Sequence, residues 1–304
     1  MTLLIGSIQL GLLYAIMALG IYITFRILNV PDLTVDGSFS LGMACAAVAT
    51  ISGHPFLALF IAIFAGALAG LATGLLHTKL SIHPILAGIL VMTGLYTVNL
   101  AIMGGKGNVS IVSSKTVFSM IESMFGAPGG IGKTLLALSI CIIIIAILSI
   151  SFKTRFGLAI RATGDNEDMV RLSSINANVS KCIALSTGNA CVALSGALIC
   201  QYQMFSDVSS GSGMVIIGLA SVIIGETVFG RRSVTIGLVS AAFGSILYRI
   251  ILAFALKIDM FPAYALKLIS AVIVIIALSG PSIKAIIQQN KIRGEVNNHL
   301  NNRL

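Results

Sequence analysis

Charge is what this sequence has least of. Of its 304 residues only 10% are Asp, Glu, Lys or Arg, where a soluble chain carries about 25%. Mean hydropathy is +1.03 and 57% of the residues are hydrophobic. A large soluble core would still need a polar surface to cover it, so water is not the solvent for most of this chain. No hydrophilic block is long enough for a second, soluble domain. Cysteine and histidine are equally uninformative as chemistry. Cys45, Cys141, Cys182, Cys191 and Cys200 all lie in apolar stretches, without metal-ligand spacing, and read as small helix-packing residues. The four histidines are scattered, which excludes a zinc motif. No nucleophile, acid/base pair or metal cluster stands out, so neither catalytic nor metal-binding residues are expected. The start, MTLLIGSIQLGLLYAIMALG, lacks a basic leading region and a small-residue cleavage site. It reads as a retained first span rather than a signal peptide.

What is there is a series of apolar segments, near 3–25, 38–52, 56–76, 84–103, 133–152, 180–201, 213–230, 234–256 and 262–279. A crossing needs roughly 20 apolar residues, and in lipid only helices or closed barrels satisfy the backbone. These lengths favour helices. The expectation is an all-α polytopic membrane protein, a single domain over 1–304 with about nine transmembrane helices. Segment 38–52, short and rich in Ala and Gly, is either a full crossing or a re-entrant or broken helix.

Basic residues give the orientation. If the nine segments alternate, 13 of the 19 Lys and Arg fall on one side, among them Arg26, Lys79, Lys153, Arg161, Arg171, Lys181 and Arg231–Arg232. The positive-inside rule makes that side cytoplasmic. The chain is then a multi-pass membrane protein with its N-terminus outside and the tail, 280–304, inside. The net charge of +9 matches such loops facing membrane lipid and requires no nucleic-acid partner. Glycines Gly66, Gly70 and Gly74 form a small-residue face for close helix packing within the subunit.

Ala127–Thr134 formally matches a loosened phosphate loop. A working one needs a preceding strand and a soluble helix after it; here a membrane span follows. No ATPase site is expected in this chain.

The basic connection 153–178 is richer. Gly164 permits a turn, and Asp165 is placed to cap a helix with Asp168 three residues on. Carboxylates at this start suit the helix dipole, and Glu167 and Arg171 are spaced for an i,i+4 pair. Met169, Val170, Leu172 and Ile175 add an apolar patch. The expectation is a short amphipathic helix, either a plain connector or one that docks into a groove of a soluble partner.

This stretch, Arg161–Asn176, resembles the coupling loop of ABC importer permeases for branched-chain amino acids and for sugars such as ribose. The resemblance extends through Ser195–Ala197, Gly218–Gly225 and Gly230–Gly237. Pro31–Ser38 resembles a "DLSVG" segment of the sugar members, departing from it by the additional Asp36. Among the branches the chain is most similar to amino-acid-type permeases, including those linked to tryptophan or tyrosine uptake. The resemblance implies an ABC importer permease fold moving a small solute, an amino acid foremost, inward. Two permeases (a second copy or a sister chain) would line the path. Separate cytoplasmic ABC ATPase subunits would use ATP, with no cofactor bound by this chain, and an extracytoplasmic binding protein would deliver substrate. Gly164, Asp165, Asn166, Glu167, Asp168 and Arg171 are the residues expected to couple to the ATPase.

Polar residues within apolar runs need partners or water. Asp32, Asp36, Asn99 and Glu226 are the candidates to line the translocation path. Asp36 otherwise caps the helix beginning at Gly37, and Glu226 otherwise sits in a buried ion pair or at an interface. Asn189 and Gln201 bond across helices or line a cavity. Arg249 and Lys267 read as snorkelling or pairing near the outer leaflet. The longest outer loop, 104–132, with a helix-like stretch over Lys115–Phe125, is either the contact for a binding protein or a solvated connector. The alternative for the whole chain is an ion-gradient-driven secondary transporter, which would favour buried ionisable residues and discontinuous helices.

Overall fold

A computed structural model describes residues 2–125, 131–173, 175–230 and 233–257, together with positions 268, 271, 272 and 275. The expected crossing 262–279 and the tail 280–304 lie essentially outside the described residues, as do Arg231, Arg232 and Lys267.

The chain is an all-α polytopic membrane protein. Its first helix, α1 (Thr2–Ile21), runs on as a π-helical turn, Tyr22–Ile27. Then follow α2 (Thr34–Ile51), α3 (Pro55–Lys79), α4 (Pro84–Ile102), β1 (Asn108–Ser110), α5 (Val117–Phe125) and α6 (Ile131–Ser151). Two short helices, α7 (Arg155–Asp165) and α8 (Glu167–Leu172), precede α9 (Ala177–Gln203). The chain continues with β2 (Phe205–Asp207), a 3-10 turn (Val208–Gly211), α10 (Met214–Phe229) and α11 (Val234–Lys257). Eight helical stretches among the described residues are long and apolar enough to cross a membrane.

Helices α1, α2 and α9 form the centre. Every residue of α1 and its π-turn from Gly11 to Thr24 is buried, as expected of a helix apolar around its whole circumference. By contrast, only 17% of the best apolar window of α4 and 22% of that of α6 is covered by the rest of the chain. Those two helices are left for lipid or another protein.

The small-residue face packs within the chain. Gly66, Gly70 and Gly74 of α3 lie against Asn189, Leu185 and Cys182 of α9, and a Cβ on Gly70 would overlap the Leu185 carbonyl. Antiparallel helices approach this closely only without side chains between them.

Two helices begin inside the bundle instead of at its ends. After the π-turn the chain reverses at Asn29, which takes a left-handed φ of 58°. It then runs back beside α9 to Asp32, level with Asn189 near that helix's middle. Helix α2 starts there, and near its far end Pro55 O accepts from Gln201 Nε2 at 2.8 Å. Segment 38–52 is therefore one continuous helix, and the break lies before it. The second internal start follows α9. Met204 ends that helix in a left-handed conformation. Then β2 pairs antiparallel with β1, Asn108 facing Asp207, and the 3-10 turn descends along α2 to Gly213. This strand pair puts the α4–α5 connection and the α9–α10 connection at one end of the bundle, as alternating crossings require. Arg26, Lys79, α7 and α8 lie at the other, basic end.

Candidate functional site

At the basic end, α7 follows Thr154, whose Oγ1 accepts from Gly157 N at 3.4 Å. Gly157, Ile160 and Thr163 are its buried residues. Gly164 does not make a turn, contrary to expectation. It is helical, and it lies so close to the π-turn that a Cβ would overlap the Ile27 carbonyl oxygen. The loop is thereby seated directly on the end of the first crossing.

Helix α8 is capped by a different residue from the one expected. Asp165 ends α7, and Asn166, extended at φ −157°, accepts from Met169 N through its side chain at 3.0 Å. The capping box between Asp165 and Asp168 does not form, because the break falls one residue later. Asp168 stays in the first turn beside Glu167. Glu167 and Arg171 do pair, Oε1 to Nη2 at 2.8 Å. Glu167 also reaches out of the loop, accepting from Lys181 Nζ of α9 at 2.6 Å. Lys181 Nζ lies 3.3 Å from His77 Nε2 of α3, and His77 Nδ1 lies 2.9 Å from the Ile82 carbonyl. An ammonium only donates, so Nε2 accepts and the ring proton sits on Nδ1. The Lys181 hydrogen bond holds the Glu167 carboxyl below the usual carboxylate range, outweighing its partial burial, with Arg171 adding to the effect.

Braced in this way, α8 turns Val170 inward, 4% exposed, and presents Met169 at 66% and Leu172 at 88%. Exposed apolar side chains on a short, rigid helix are what a soluble partner's groove accepts. Lys181 and His77 escape sequence reasoning because Glu167 and Lys181 are separated by a helix break, so no periodicity links them.

The four polar candidates within the apolar runs separate into three settings. Asp32 is 1% exposed: Oδ1 accepts from Thr34 N at 2.9 Å and Oδ2 from Asn189 Nδ2 at 2.6 Å. It ties the start of α2 to α9 and lines none of the cavities described here. Asp36 does not cap its own helix, since α2 begins at Thr34. Its carboxylate accepts from Gly213 N at 2.8 Å and Val215 N at 2.9 Å, so it caps the internal start of α10. Unpaired amides at a helix start favour a carboxylate there. Ser40 supports the same junction, donating to Val208 O at 2.9 Å and accepting from Gly211 N at 3.0 Å.

Asn99 of α4, 1% exposed, donates to Gly37 O at 3.3 Å. It joins Asp36 in the wall of one cavity of about 560 Å³ between α2, α4 and the 3-10 turn. Glu226 is elsewhere, its buried carboxylate paired with the partly exposed Arg26 at 2.6 Å. Both line a polar cavity of about 320 Å³ at the basic end, shared with Asn29, Arg161 and Asp165. A loop residue and an intramembrane residue, read separately in the sequence, thus meet there.

Asn189 and Gln201 do bond across elements, Gln201 Oε1 accepting from Val117 N at 3.0 Å. Arg249 pairs with an aromatic ring: its guanidinium lies 3.6 Å from the Tyr14 ring centroid, a cation–π contact. Lys133, the lysine of the phosphate-loop look-alike, lies in α6 and pairs with Glu122 at 3.1 Å. Among the described residues no group of His, Cys, Asp and Glu is placed to hold a metal ion.

Apolar crossings, internal helix starts and a braced loop helix at the basic end define a membrane transport subunit. The chain belongs to the family of branched-chain amino acid transport system permease components, which it matches over residues 3–278. It is 38% identical over 277 residues to a tyrosine transport system permease protein of Clostridioides difficile, covering 91% of this chain and 90% of that one. An uncharacterised protein of Rickettsia prowazekii is 33% identical over 283 residues, 92% of this chain and 98% of its own. A probable branched-chain amino acid transport permease of Methanocaldococcus jannaschii is 25% identical over 206 residues, 64% of each chain. No solved structure gives a significant match.

Proposed function

We propose that this chain is the membrane-spanning subunit of an ATP-binding-cassette importer of the bacterial inner membrane. Its α8 docks on a separate cytoplasmic ATPase subunit, which binds and hydrolyses the ATP. The basic end is cytoplasmic, the N-terminus outside and the tail inside. A second permease, either a copy or a sister chain, completes the path, and an extracytoplasmic binding protein delivers the solute to the end carrying β1 and β2. The solute is a small amino acid-like molecule, the class carried by the family and by its tyrosine-transporting relative.

The observation that carries this reading is the exposed Met169–Leu172 pair on a helix held by Glu167, Arg171 and Lys181. A plain connector needs no such bracing. Gly164 seated on the π-turn supplies the other half of a coupling element, a rigid contact from the loop into the crossings.

The internal helix starts at Thr34 and Met214 are shared with ion-driven transporters, which keeps one rival in the test. Uptake of labelled amino acids into proteoliposomes containing this chain, its neighbouring ATPase and its binding protein separates the two. Uptake that requires ATP and both partners, and is lost in Glu167→Arg protein that still inserts and folds, is expected. Uptake driven by an ion gradient without the ATPase would overturn the importer.

A further inference from the structure

The cavity between α2, α4 and the 3-10 turn has a one-sided chemistry. Among the described residues its wall holds one carboxylate, that of Asp36, and no lysine, arginine or histidine. The Asp36 carboxylate accepts the Gly213 amide on Oδ2 and the Val215 amide on Oδ1, with the Met214 amide bonded to it as well. A carboxylate has about four acceptor positions, so acceptor capacity is left on its cavity side. Among the described residues Asp36 forms no ion pair.

Opposite it, Met92, Tyr96 and Asn99 stand at positions i, i+4 and i+7 of α4, on one helix face. Tyr96 is 53% exposed, so its ring is available at the opening. The Asn99 amide is oriented by its donation to Gly37 O, and this leaves Oδ1 buried without a partner. An unpaired buried acceptor is costly in any resting state, and it becomes useful when a donor arrives.

A carboxylate, an aromatic face and a spare amide oxygen all favour a compact N–H cation and disfavour an anion. We propose that this cavity receives the primary ammonium group of the transported solute. Asp36 and the Tyr96 ring meet it on entry, and Asn99 Oδ1 completes its acceptors. Resting on the permease reading, this assigns to one cavity the functional group it selects. Because Asp36 also caps α10, an ammonium at the carboxylate bears directly on the start of that helix, whose other end carries Glu226 in its pair with Arg26.

The chain has no tryptophan, so Tyr96→Trp places a single fluorescent reporter at the cavity with its aromatic character kept. Full-length Tyr96→Trp permease in lipid nanodiscs is titrated with L-leucine, with 3-methylbutylamine, which lacks the carboxylate, and with 4-methylpentanoate, which lacks the ammonium. The expected result is a saturable change with the first two and at least about tenfold weaker binding of the third. Asp36→Asn in the same background keeps an acceptor for the α10 amides and is expected to weaken both ammonium compounds about tenfold. If that variant fails to fold, Asn99→Leu serves instead, weakening the two ammonium compounds and leaving the acid unaffected. Equal binding of the acid, or no response to any of the three, overturns the assignment. ATP-dependent uptake by the same proteins separates the two levels. Retained uptake without ammonium preference removes the cavity's role and leaves the permease. Uptake by the unsubstituted chain that ignores the ATPase removes the permease reading whatever the titration shows.

Discussion

The Asp36 carboxylate of α2 accepts the backbone N–H of Gly213, 177 residues further along the chain, at 2.8 Å. One acidic side chain thus joins the two internal helix starts. Asp36→Ala removes the cap and leaves the Gly213 and Val215 amides to find other partners. A loss of about 1–2 kcal/mol of stability is expected, with Asp36→Asn losing less than half as much. Four of the five free cysteines are buried. The unfolding midpoint measured with a thiol-reactive dye therefore reports the difference, and equal midpoints for wild type and Asp36→Ala would refute the capping role.

Gly70→Leu is expected to prevent folding altogether. A Cβ at this position already overlaps the Leu185 carbonyl, and the opposing atom is backbone of a central helix that cannot swing aside. Gly94 of α4 has nothing within 4 Å of an added Cβ, so Gly94→Ala serves as the control. It is expected to shift the unfolding midpoint little, with expression and monodispersity in detergent checking both.

The crossings and the Gly66–Gly70–Gly74 packing face could be read from the sequence because lipid imposes one simple rule on each: long apolar runs, and small residues where backbones meet. The pairing of Glu167 with Arg171 was equally legible, being a spacing within one helix. What was not legible depends on distance along the chain. The sequence offers Asp36 the path or the cap of its own helix, whereas it caps α10; Lys181 and Arg26 stand in the sequence as loop charge and are the partners of Glu167 and Glu226. The cap of α8 was misplaced by one residue, from Asp165 to Asn166. Both types favour the position, and only the backbone break decides between them.

The brace on α8 has a pH dependence whose sign follows from Glu167. Its folded carboxyl is held below the ordinary value of 4.5, so its contribution is complete above that value and is lost as pH falls through the lower folded value. Hydrogen exchange of the α8 amides is expected to keep constant protection between pH 7 and about 5, after correction for intrinsic rates, and to lose it in more acid solution. Glu167→Gln is expected to exchange about two- to fivefold faster at neutral pH, as befits a partly exposed ion pair. Unchanged exchange would mean that the Lys181 contact does not hold the helix.

Leu172→Asp tests the proposed docking face without touching the brace. Leu172 is 88% exposed, so the substitution is expected to leave the unfolding midpoint of the isolated permease within about 0.5 kcal/mol of wild type. If α8 docks as proposed, co-purification of the ATPase subunit falls at least about tenfold, because an apolar anchor becomes a desolvated charge. A variant that retains the ATPase at wild-type level would place the docking contact elsewhere.

The Arg26–Glu226 pair, 2.6 Å apart with Glu226 almost fully covered, calls for a double-mutant comparison. Removing Arg26 alone takes a charged partner away from a buried carboxylate, whereas replacing both groups with apolar side chains removes the desolvation penalty as well. Arg26→Met is therefore expected to destabilise the chain by about 1–3 kcal/mol, the lower part of the range for breaking buried pairs because the Arg26 side chain is still a third exposed. Arg26→Met/Glu226→Met is expected to recover most of that loss. Transport should separate from stability in the double variant. The pair lines the polar cavity between the π-turn and the end of α10 beside Arg161 and Asp165, and an apolar pair there leaves those two loop residues no charged neighbour from the crossings. A stable double variant with unimpaired ATP-driven uptake would reduce the ion pair to a packing element, whereas a stable and inactive one would place it in the route from the loop to the crossings.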